Sequence, residues 1–380
     1  MNLNSNPSST AHDPAPRMQR RGRQAGFNLV ELMVAVAIGG LLLTGALSIF
    51  VNNQQLQKAT SSMSRLQEDA RYAMDLLVYD LRMAGFVGCS DDSSMVTVSS
   101  TLPTASTNLL WNLAMPIEGI DQSMIGSTPP EDLVWYPSNL PADKDLPAKL
   151  RTDSDLLTLR YVNGSVNHEI TAASSSELTI DDAGQFQQLD VVVAHDCGGA
   201  DVFYVANADP TGDGKVTAAS ALSKVYNPSG QASQVSDLVG VRYYIANHAD
   251  TDEPGLYRRE ILDRGIADAT GITETEPTAP IVEGVEMMQI LYGIDTNNDR
   301  VPDKFVDANA PDLGTNAGYW NEIVAIQVSL LLRTNEPLQQ SAGMLASSYQ
   351  VGTASFTPTS DQQRFQFRTF QTTVLVRNQR

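Results

Sequence analysis

One uninterrupted apolar segment, from Phe27 to Val51, dominates the hydrophobic pattern of this 380-residue chain. Glu31 is the only formally charged residue within it, and no proline occurs between Phe27 and Ala84. About 20 apolar residues, each rising 1.5 Å, are enough to cross the hydrocarbon core of a membrane. The pattern therefore predicts one continuous helix from Phe27 to about Ala84, whose part over residues 27–51 spans a membrane.

The second half of this helix, residues 52–85, is predicted to be amphipathic. Apolar residues recur at spacings of three, four or seven and form one stripe, made of Leu56, Met63, Leu66, Ala70, Leu77 and Leu81. The charged residues are predicted to lie largely off this stripe, namely Lys58, Arg65, Glu68, Asp69, Arg71, Asp75 and Asp80. Gly85 stands where a C-terminal cap belongs. A globular domain is expected to cover the stripe.

After Gly88 the pattern changes to short segments that predict strands, because they alternate with period two or are rich in β-branched residues. The predicted strands cover residues 95–99, 156–162, 178–180, 190–194, 202–206, 239–246, 256–262, 282–292, 323–332 and 365–376. The stretch at about 101–147 is rich in Pro, Ser, Thr and Asn, and is predicted to be an irregular insertion packed on the sheet. A long helix followed by mainly antiparallel strands predicts an α+β fold, with a β-rich globular domain over residues 86–380.

Charge is distributed very unevenly along the chain. The net charge is −19, and the first 26 residues hold four arginines and one aspartate, so the remainder carries −22. Such an acidic surface repels nucleic acid, and no nucleic-acid partner is expected. The four arginines, Arg17, Arg20, Arg21 and Arg23, immediately precede the apolar segment and predict a cytoplasmic flank, with the globular domain in the periplasm.

Two cysteines, Cys89 and Cys197, follow the apolar segment on the side away from the arginines. In a bacterium that side is the periplasm, where disulfides form. A bridge between them closes a loop of 108 residues, which stabilises the folded state by at most about 4–5 kcal/mol. The alternative is a pair of buried free thiols.

The residues around Gly26, in the order Gly26-Phe27-Asn28-Leu29-Val30-Glu31, resemble the class III signal of type IV prepilins. The resemblance implies that a prepilin peptidase cuts between Gly26 and Phe27 and methylates the new amino terminus of Phe27. The essential glutamate of that family maps onto Glu31, which could neutralise the amine of a neighbouring subunit in a filament. Residues 1–26 are then a cleaved leader. The alternative is an ordinary signal anchor with a stray acid.

The globular part resembles PilW-type minor pilins in several segments. They are Arg65–Arg71, Asp80–Phe86 with Gly88-Cys89, Asp155–Tyr161, Tyr292–Asp295 and Thr372–Arg377. The resemblance implies a type IV pilin-like fold, in which the long helix packs on a mainly antiparallel β-sheet head. Pseudopilins of the J type, from type II secretion systems, share the helix end but are expected to be shorter.

Two loops present oxygen side chains at alternate positions, as calcium loops do. The first would use Asp295, Asn297, Asp299, the Val301 carbonyl and Asp303, although Arg300 replaces the usual glycine and Val306 the usual acid. The second and weaker candidate uses Asp209, Thr211 and Asp213, with Ser220 at the twelfth position. The alternative for both is a plain Asx-rich turn. No other cofactor is expected, and no arrangement of residues predicts an enzyme.

The family resemblance implies a minor pilin that joins other minor pilins, primes assembly of a type IV pilus and stays at its tip. Its implied partners are other minor pilins, the major pilin, the prepilin peptidase and the inner-membrane assembly platform. The implied location is the inner membrane, crossed once, and then the pilus at the cell surface. The alternatives are a J-type pseudopilin and a tip-located module that binds surfaces.

Overall fold

The computed structural model describes residues 26, 28–89, 95–102, 111–124, 149–226, 233–260, 279–310, 313, 320, 322–337 and 347–378. The chain divides into two compact units, Met1–Leu56 and Gln57–Arg380. Phe27, residues 1–25 of the predicted leader, and residues 103–110 and 125–148 of the predicted insertion lie outside the described residues.

The first helix, α1, runs over Leu29–Met83 and confirms the prediction of one continuous helix. It ends at Gly85, whose φ of +75° is the left-handed conformation that a helix cap requires. The Phe86 N–H donates to the Met83 carbonyl at 2.8 Å, and the Gly85 N–H donates to the Arg160 carbonyl at 2.9 Å. The predicted cap therefore also joins the helix end to a neighbouring strand.

The predicted stripe is largely confirmed within the second unit, where Leu66, Ala70, Leu77 and Leu81 are buried, together with Ala73. Two assignments were wrong. Leu56 is 64% exposed, and the other large apolar side chains described in the first unit are exposed as well. Asp80 is completely buried, because polar groups of three strands bind its carboxylate.

Seventeen strands occur in the described residues. The first eight are β1 Val96–Val98, β2 Ile117–Ile120, β3 Leu156–Val162, β4 His168–Ala173, β5 Glu177–Ile180, β6 Val191–Asp196, β7 Gly199–Tyr204 and β8 Lys215–Thr217. The others are β9 Gln234–Asn247, β10 Pro254–Glu260, β11 Val282–Glu283, β12 Val285–Ile294, β13 Lys304–Val306, β14 Ile323–Arg333, β15 Tyr349–Val351, β16 Ala354–Phe356 and β17 Phe367–Leu375. A short helix, α2, covers Pro210–Asp213, and 3₁₀ turns cover Gln122–Met124 and Gln362–Arg364.

The strands form one large sheet, one four-stranded sheet and a separate hairpin. The large sheet has the order β1-β7-β6-β9-β4-β5-β8, and the long strand β9 also carries a branch with the order β2-β3-β9-β10-β11. The four-stranded sheet has the order β13-β12-β14-β17, and β15 pairs with β16. All described pairs are antiparallel except β1 with β7. The predicted α+β, pilin-like fold is therefore confirmed.

The strand prediction missed several short elements, namely β2, β4, β8, β13, β15 and β16, as well as α2. β2 lies inside the stretch predicted as an irregular insertion, and it pairs with β3 from Ile117 opposite Leu159 to Ile120 opposite Leu156. The prediction of an irregular insertion was therefore wrong for this part. Strands of three to six residues offer too few alternations for a period-two pattern to be recognised.

The main hydrophobic core joins the second-unit part of α1 to both sheets. Leu77 of α1 belongs to one buried cluster with Tyr243 of β9, Ile290 of β12 and Ile326 of β14. Burying one such leucine side chain stabilises the fold by about 1.5–3 kcal/mol. The helix is thus a structural part of the head from about Leu66 onward.

Candidate functional site

The prepilin-like junction begins at Gly26, which is exposed and has no described atom within 4 Å of the position a Cβ would take. Helix α1 starts three residues later, and the Leu32 N–H donates to the Asn28 carbonyl at 3.1 Å as its first turn forms. A glycine that no described residue crowds, standing before a helix, suits a segment that must enter a protease cleft in extended form. Phe27, the predicted methylation site, lies outside the described residues.

Glu31 is the acidic residue in the first turn of α1, and it is exposed. The N-terminal end of a helix carries a partial positive charge, which stabilises a carboxylate there. In the sequence Glu31 follows Phe27 by four residues. An amine created by cleavage before Phe27 would have the opposite charge to this carboxylate.

The apolar part of α1 fulfils the requirements for a membrane span in length and composition. Its most apolar 18-residue window has a mean hydropathy of 2.3, and none of that window is buried. The hydroxyls within it are satisfied inside the helix, because Thr44 donates to the Gly40 carbonyl at 2.8 Å and Ser48 to the Thr44 carbonyl at 2.9 Å. Internal pairing of polar groups is what a lipid environment demands.

Within the second unit, α1 is fixed to the head by the buried carboxylate of Asp80. This carboxylate accepts hydrogen bonds from the Tyr161 hydroxyl at 2.7 Å, from the Tyr243 hydroxyl and from the Arg258 Nε at 2.9 Å. Burial, reinforced by the charge of Asp80, raises the pKa of both tyrosines, so they remain neutral donors. The four residues, Asp80, Tyr161, Tyr243 and Arg258, are called the helix anchor below.

Sequence reasoning placed Asp80 on the polar side of the helix, although a signal for its burial was present. Asp80 lies three residues after Leu77 and four before Ala84, and this spacing places it on the buried stripe. The charge of Asp80 predicts an exposed side chain and its spacing predicts a buried one, and the structure agrees with the spacing. The donors come from β3, β9 and β10, which are far apart in the sequence, so only the tertiary structure brings them together.

A second group of polar contacts joins the large sheet to the four-stranded sheet, at the two residues that directly precede β3 in the chain. The Asp155 carboxylate accepts from the Ile290 N–H at 2.8 Å and the Gln122 N–H at 2.9 Å, while the Ser154 Oγ accepts from the Met288 N–H at 2.8 Å. Burial raises the pKa of Asp155 to about 7. The motif that resembled a PilW strand therefore connects β3 of the large sheet with β12 of the small one.

Two further buried acids are paired with arginines. Glu118 lies 2.8 Å from the Arg160 Nη2, and Glu286 lies 3.0 Å from the Arg151 Nη1 and 3.1 Å from the Arg333 Nη1. Burial raises the pKa of each glutamate, and the paired arginines oppose that shift. The contacts satisfy these charges in pairs, as a structural network does, and they place no nucleophile beside a base.

The predicted disulfide between Cys89 and Cys197 is present, with a Cα–Cα distance of 4.6 Å. It connects the turn after α1 to the tight turn between β6 and β7. Close beside it, the His195 ring is buried and its Nε2 lies 2.9 Å from the Ser236 Oγ. Burial lowers the pKa of His195 to about 4, which keeps the ring neutral.

The first predicted calcium loop has a compact arrangement of its own. Asp295 accepts backbone N–H groups of Asn298 and Arg300, both at 2.7 Å, and Arg300 adopts a φ of +66° where calcium loops use glycine. The Asn297 amide nitrogen lies 3.2 Å from an Asp299 oxygen and 3.3 Å from an Asp303 oxygen. These hydrogen bonds are those of an Asx-rich turn, and calcium binding stays a prediction.

In the second predicted loop, the Asp209 Oδ1 accepts from the Gly212 N–H at 2.8 Å and so caps α2. Gly214 ends this helix with a φ of +64°. Thr211 and Asp213 therefore lie within a helical turn, and calcium binding here also stays a prediction. Among the described residues, no three His, Cys, Asp or Glu side chains are grouped so as to hold a metal ion.

A long helix with an exposed apolar start, an open glycine before it and a β-sheet head covering its second part define a pilin-type protein. Residues 242–378 match the family model "Type IV Pilus-assembly protein W", and residues 21–47 match the prokaryotic N-terminal methylation motif. The chain is thus PilW-like over the first of these regions and prepilin-like over the second.

One curated relative is the pilin-like protein PilA3 of Thermus thermophilus, which is 38% identical to this chain over 60 residues. The aligned part is 16% of this chain and 26% of that protein, so this chain spans about a quarter of that relative's length. No solved structure is a significant match. The pilin matches point to a structural, non-enzymatic protein.

Proposed function

We propose that this chain is a minor pilin that joins other minor pilins to prime assembly of a type IV pilus and then stays at its tip. The observation that carries the proposal is the open Gly26 followed directly by an apolar helix with none of its most apolar window buried. The match of residues 242–378 to a pilus-assembly family favours a pilus over other destinations for such a helix.

The proposed mechanism begins with insertion of the precursor, its arginines in the cytoplasm and its head in the periplasm. The prepilin peptidase cleaves between Gly26 and Phe27 and methylates Phe27. The apolar part of α1 then packs with helices of other minor pilins in the inner membrane, on the assembly platform. Gly39, Gly40 and Gly45 have open space around them and would allow close approach of those helices.

Glu31 is proposed to guide this packing by pairing with the amine of a neighbouring subunit, because an isolated carboxylate in lipid costs a few kcal/mol. Replacing Glu31 with Ala should leave cleavage intact and reduce recovery of the protein in sheared pili at least tenfold. Immunoblots of sheared and cell fractions measure both. Glu68→Ala is the matched control, because it removes an exposed carboxylate from the part of the same helix that belongs to the second unit. Wild-type recovery of Glu31→Ala would contradict this role.

The priming role is tested by deleting the gene and counting surface pili, with a retraction-defective strain in parallel. Pili should vanish in the retracting strain and return only weakly when retraction is blocked. Abundant pili together with failed exoprotein secretion would instead support the J-type pseudopilin and overturn the pilus assignment. Abundant pili with lost surface attachment would favour a tip-located binding module without a priming role.

A further inference from the structure

The last strand, β17, lies at the edge of the four-stranded sheet and pairs with β14 on one side only, among the described strands. Its nine residues keep an unbroken register, from Phe367 opposite Arg333 to Leu375 opposite Ala325. It contains no proline, lysine or acid and has no bulge. Long, regular edges of this kind are templates for pairing with another strand unless a protein protects them.

The outward backbone groups of β17 can be identified from the ladder. The Val376 N–H donates to the Val324 carbonyl at 2.9 Å, and the Thr334 N–H donates to the Gln366 carbonyl at 3.0 Å. Hydrogen bonding alternates along an antiparallel pair, so the odd-numbered residues direct their N–H and C=O groups away from β14. In the part of the chain that the structure describes, those groups have no backbone partner; they belong to Phe367, Thr369, Gln371, Thr373 and Leu375.

Both ends of this edge are held in place, so it is ordered before any partner arrives. Phe367 is buried in a small core with Leu331 and the β15–β16 hairpin, which includes Val351. Beyond the other end, the Asn378 amide donates to the Arg82 carbonyl at 3.1 Å and the Ala84 carbonyl at 3.3 Å, at the end of α1. A partner would therefore not have to order the strand, which favours binding.

Charge indicates what kind of segment would add to this edge. Residues 362–380 contain four arginines and no acid, in a chain that carries −22 after its predicted leader. Arg364, Arg368 and Arg377 are exposed. The ion pairs found among the described residues include none of them. An acidic extended segment would be attracted to this edge, whereas a basic one would be repelled.

We propose that the free edge of β17 binds an extended acidic segment of another protein by strand addition. The backbone groups of the five odd-numbered residues would supply the hydrogen bonds, and the flanking arginines would select for acidic side chains. The proposal is based on the outward backbone groups of β17 and on the arginines that flank it, and it does not depend on the priming role.

The test uses the full chain in non-ionic detergent and a fluorescent nine-residue peptide that alternates valine or threonine with glutamate. Fluorescence anisotropy should show binding that weakens as salt is raised, and a matched peptide with lysine in place of glutamate should bind at least tenfold more weakly. Gln371→Pro removes one outward N–H without touching the bonds to β14, and should weaken binding at least tenfold. Gln371→Ala is the matched control and should bind as the wild type does.

If Gln371→Pro does not fold, the triple variant Arg364→Gln, Arg368→Gln, Arg377→Gln tests the charge argument alone. It should bind the glutamate peptide more weakly and with a flatter dependence on salt. Equal binding of both peptides, or equal binding by Gln371→Pro and Gln371→Ala, would overturn the proposal. Sedimentation of the chain alone gives a further check: self-association that Gln371→Pro abolishes would make a second copy the occupant and refute the acidic partner.

Discussion

Single buried residues decide how firmly the helix is held, and Asp80 is the clearest of them. Its carboxylate is completely buried and is surrounded by two tyrosine hydroxyls and the Arg258 guanidinium. Such a group stabilises the fold only while all its partners are present, because each would otherwise be left buried with an unmet charge or hydrogen bond. The helix anchor therefore stabilises only the arrangement in which all four of its residues are in contact.

Replacing Asp80 with Ala should lower the free energy of unfolding by about 3–5 kcal/mol, because it leaves the Arg258 charge without its buried partner. Chemical denaturation of the full chain in detergent, followed by near-UV circular dichroism, measures the change. Asp75→Ala is the matched control, since Asp75 is exposed on the same helix and its one ion pair among the described residues is with Arg71 at the surface. That control should change the free energy by less than about 1 kcal/mol. Similar losses in both variants would refute the anchor.

His195 gives the molecule a predictable sensitivity to acid. Burial lowers its pKa to about 4 from the ordinary 6.5, so the folded state favours the neutral ring. The stability that this contributes is fully present above pH 6.5 and is lost as the pH falls through 4. The shift corresponds to about 3 kcal/mol.

In His195→Gln, the fall in unfolding free energy between pH 6.5 and 4 should be smaller than in the wild type by that amount. Urea denaturation over this pH range gives the two slopes, and comparing slopes removes any constant effect of the substitution. Parallel curves for the two proteins would show that another group dominates the acid response.

At the scale of elements, the disulfide fixes the turn after α1 to the β6–β7 hairpin. Replacing both Cys89 and Cys197 with Ser should reduce the free energy of unfolding by about 2–4 kcal/mol, because the 108-residue loop is no longer closed in the unfolded chain. Thermal denaturation of the variant and of the wild type measures this loss. Reductant should lower the melting temperature of the wild type and leave the variant unchanged; equal melting temperatures of the two untreated proteins would contradict the expectation.

The loop between β12 and β13 provides a test of the calcium prediction. If Asp295, Asp299 and Asp303 bind calcium with the weak affinity of extracellular sites, calcium at about ten times the dissociation constant should stabilise the fold by about 1.4 kcal/mol. Thermal denaturation at millimolar calcium, with magnesium as the control ion, measures the effect. Asp299→Asn should abolish it, whereas Asp213→Asn should abolish only a contribution from the second loop. An unchanged melting temperature would rule out binding at this concentration.

At the scale of the whole molecule, the sequence predicted the parts that are periodic over many residues. The helix follows from apolar spacing over many repeats, and its cap at Gly85 follows from the glycine itself. Long strands such as β3 and β14 follow from their apolar and β-branched content, because both faces of these strands are largely buried and no alternation marks an inward face. The prepilin-like junction at Gly26 could be recognised from a short sequence motif, without knowledge of the fold. The disulfide could be predicted because the sequence has only two cysteines and both follow the apolar segment, on the predicted periplasmic side.

The remaining features depend on contacts between distant segments. The burial of Asp80 requires donors from three strands. The long strand β9 pairs with β6 and β4 and also with β3 and β10, and this double pairing is visible only in the tertiary structure. Short strands such as β8 and β13 exist because a neighbouring edge pairs with them, and their own sequences carry little signal. The outward edge of β17 could likewise not be recognised before its single neighbour was known.

The helix anchor also has a mechanical meaning. Its three donors come from β3, β9 and β10, which lie side by side in one sheet, so a pull along α1 would be shared by three adjacent strands. Rupture would require several hydrogen bonds and an ion pair to break together under shear, and the disulfide would hold the next turn of chain covalently. A subunit built this way would transmit tension between its helix and its head without unfolding first at their junction.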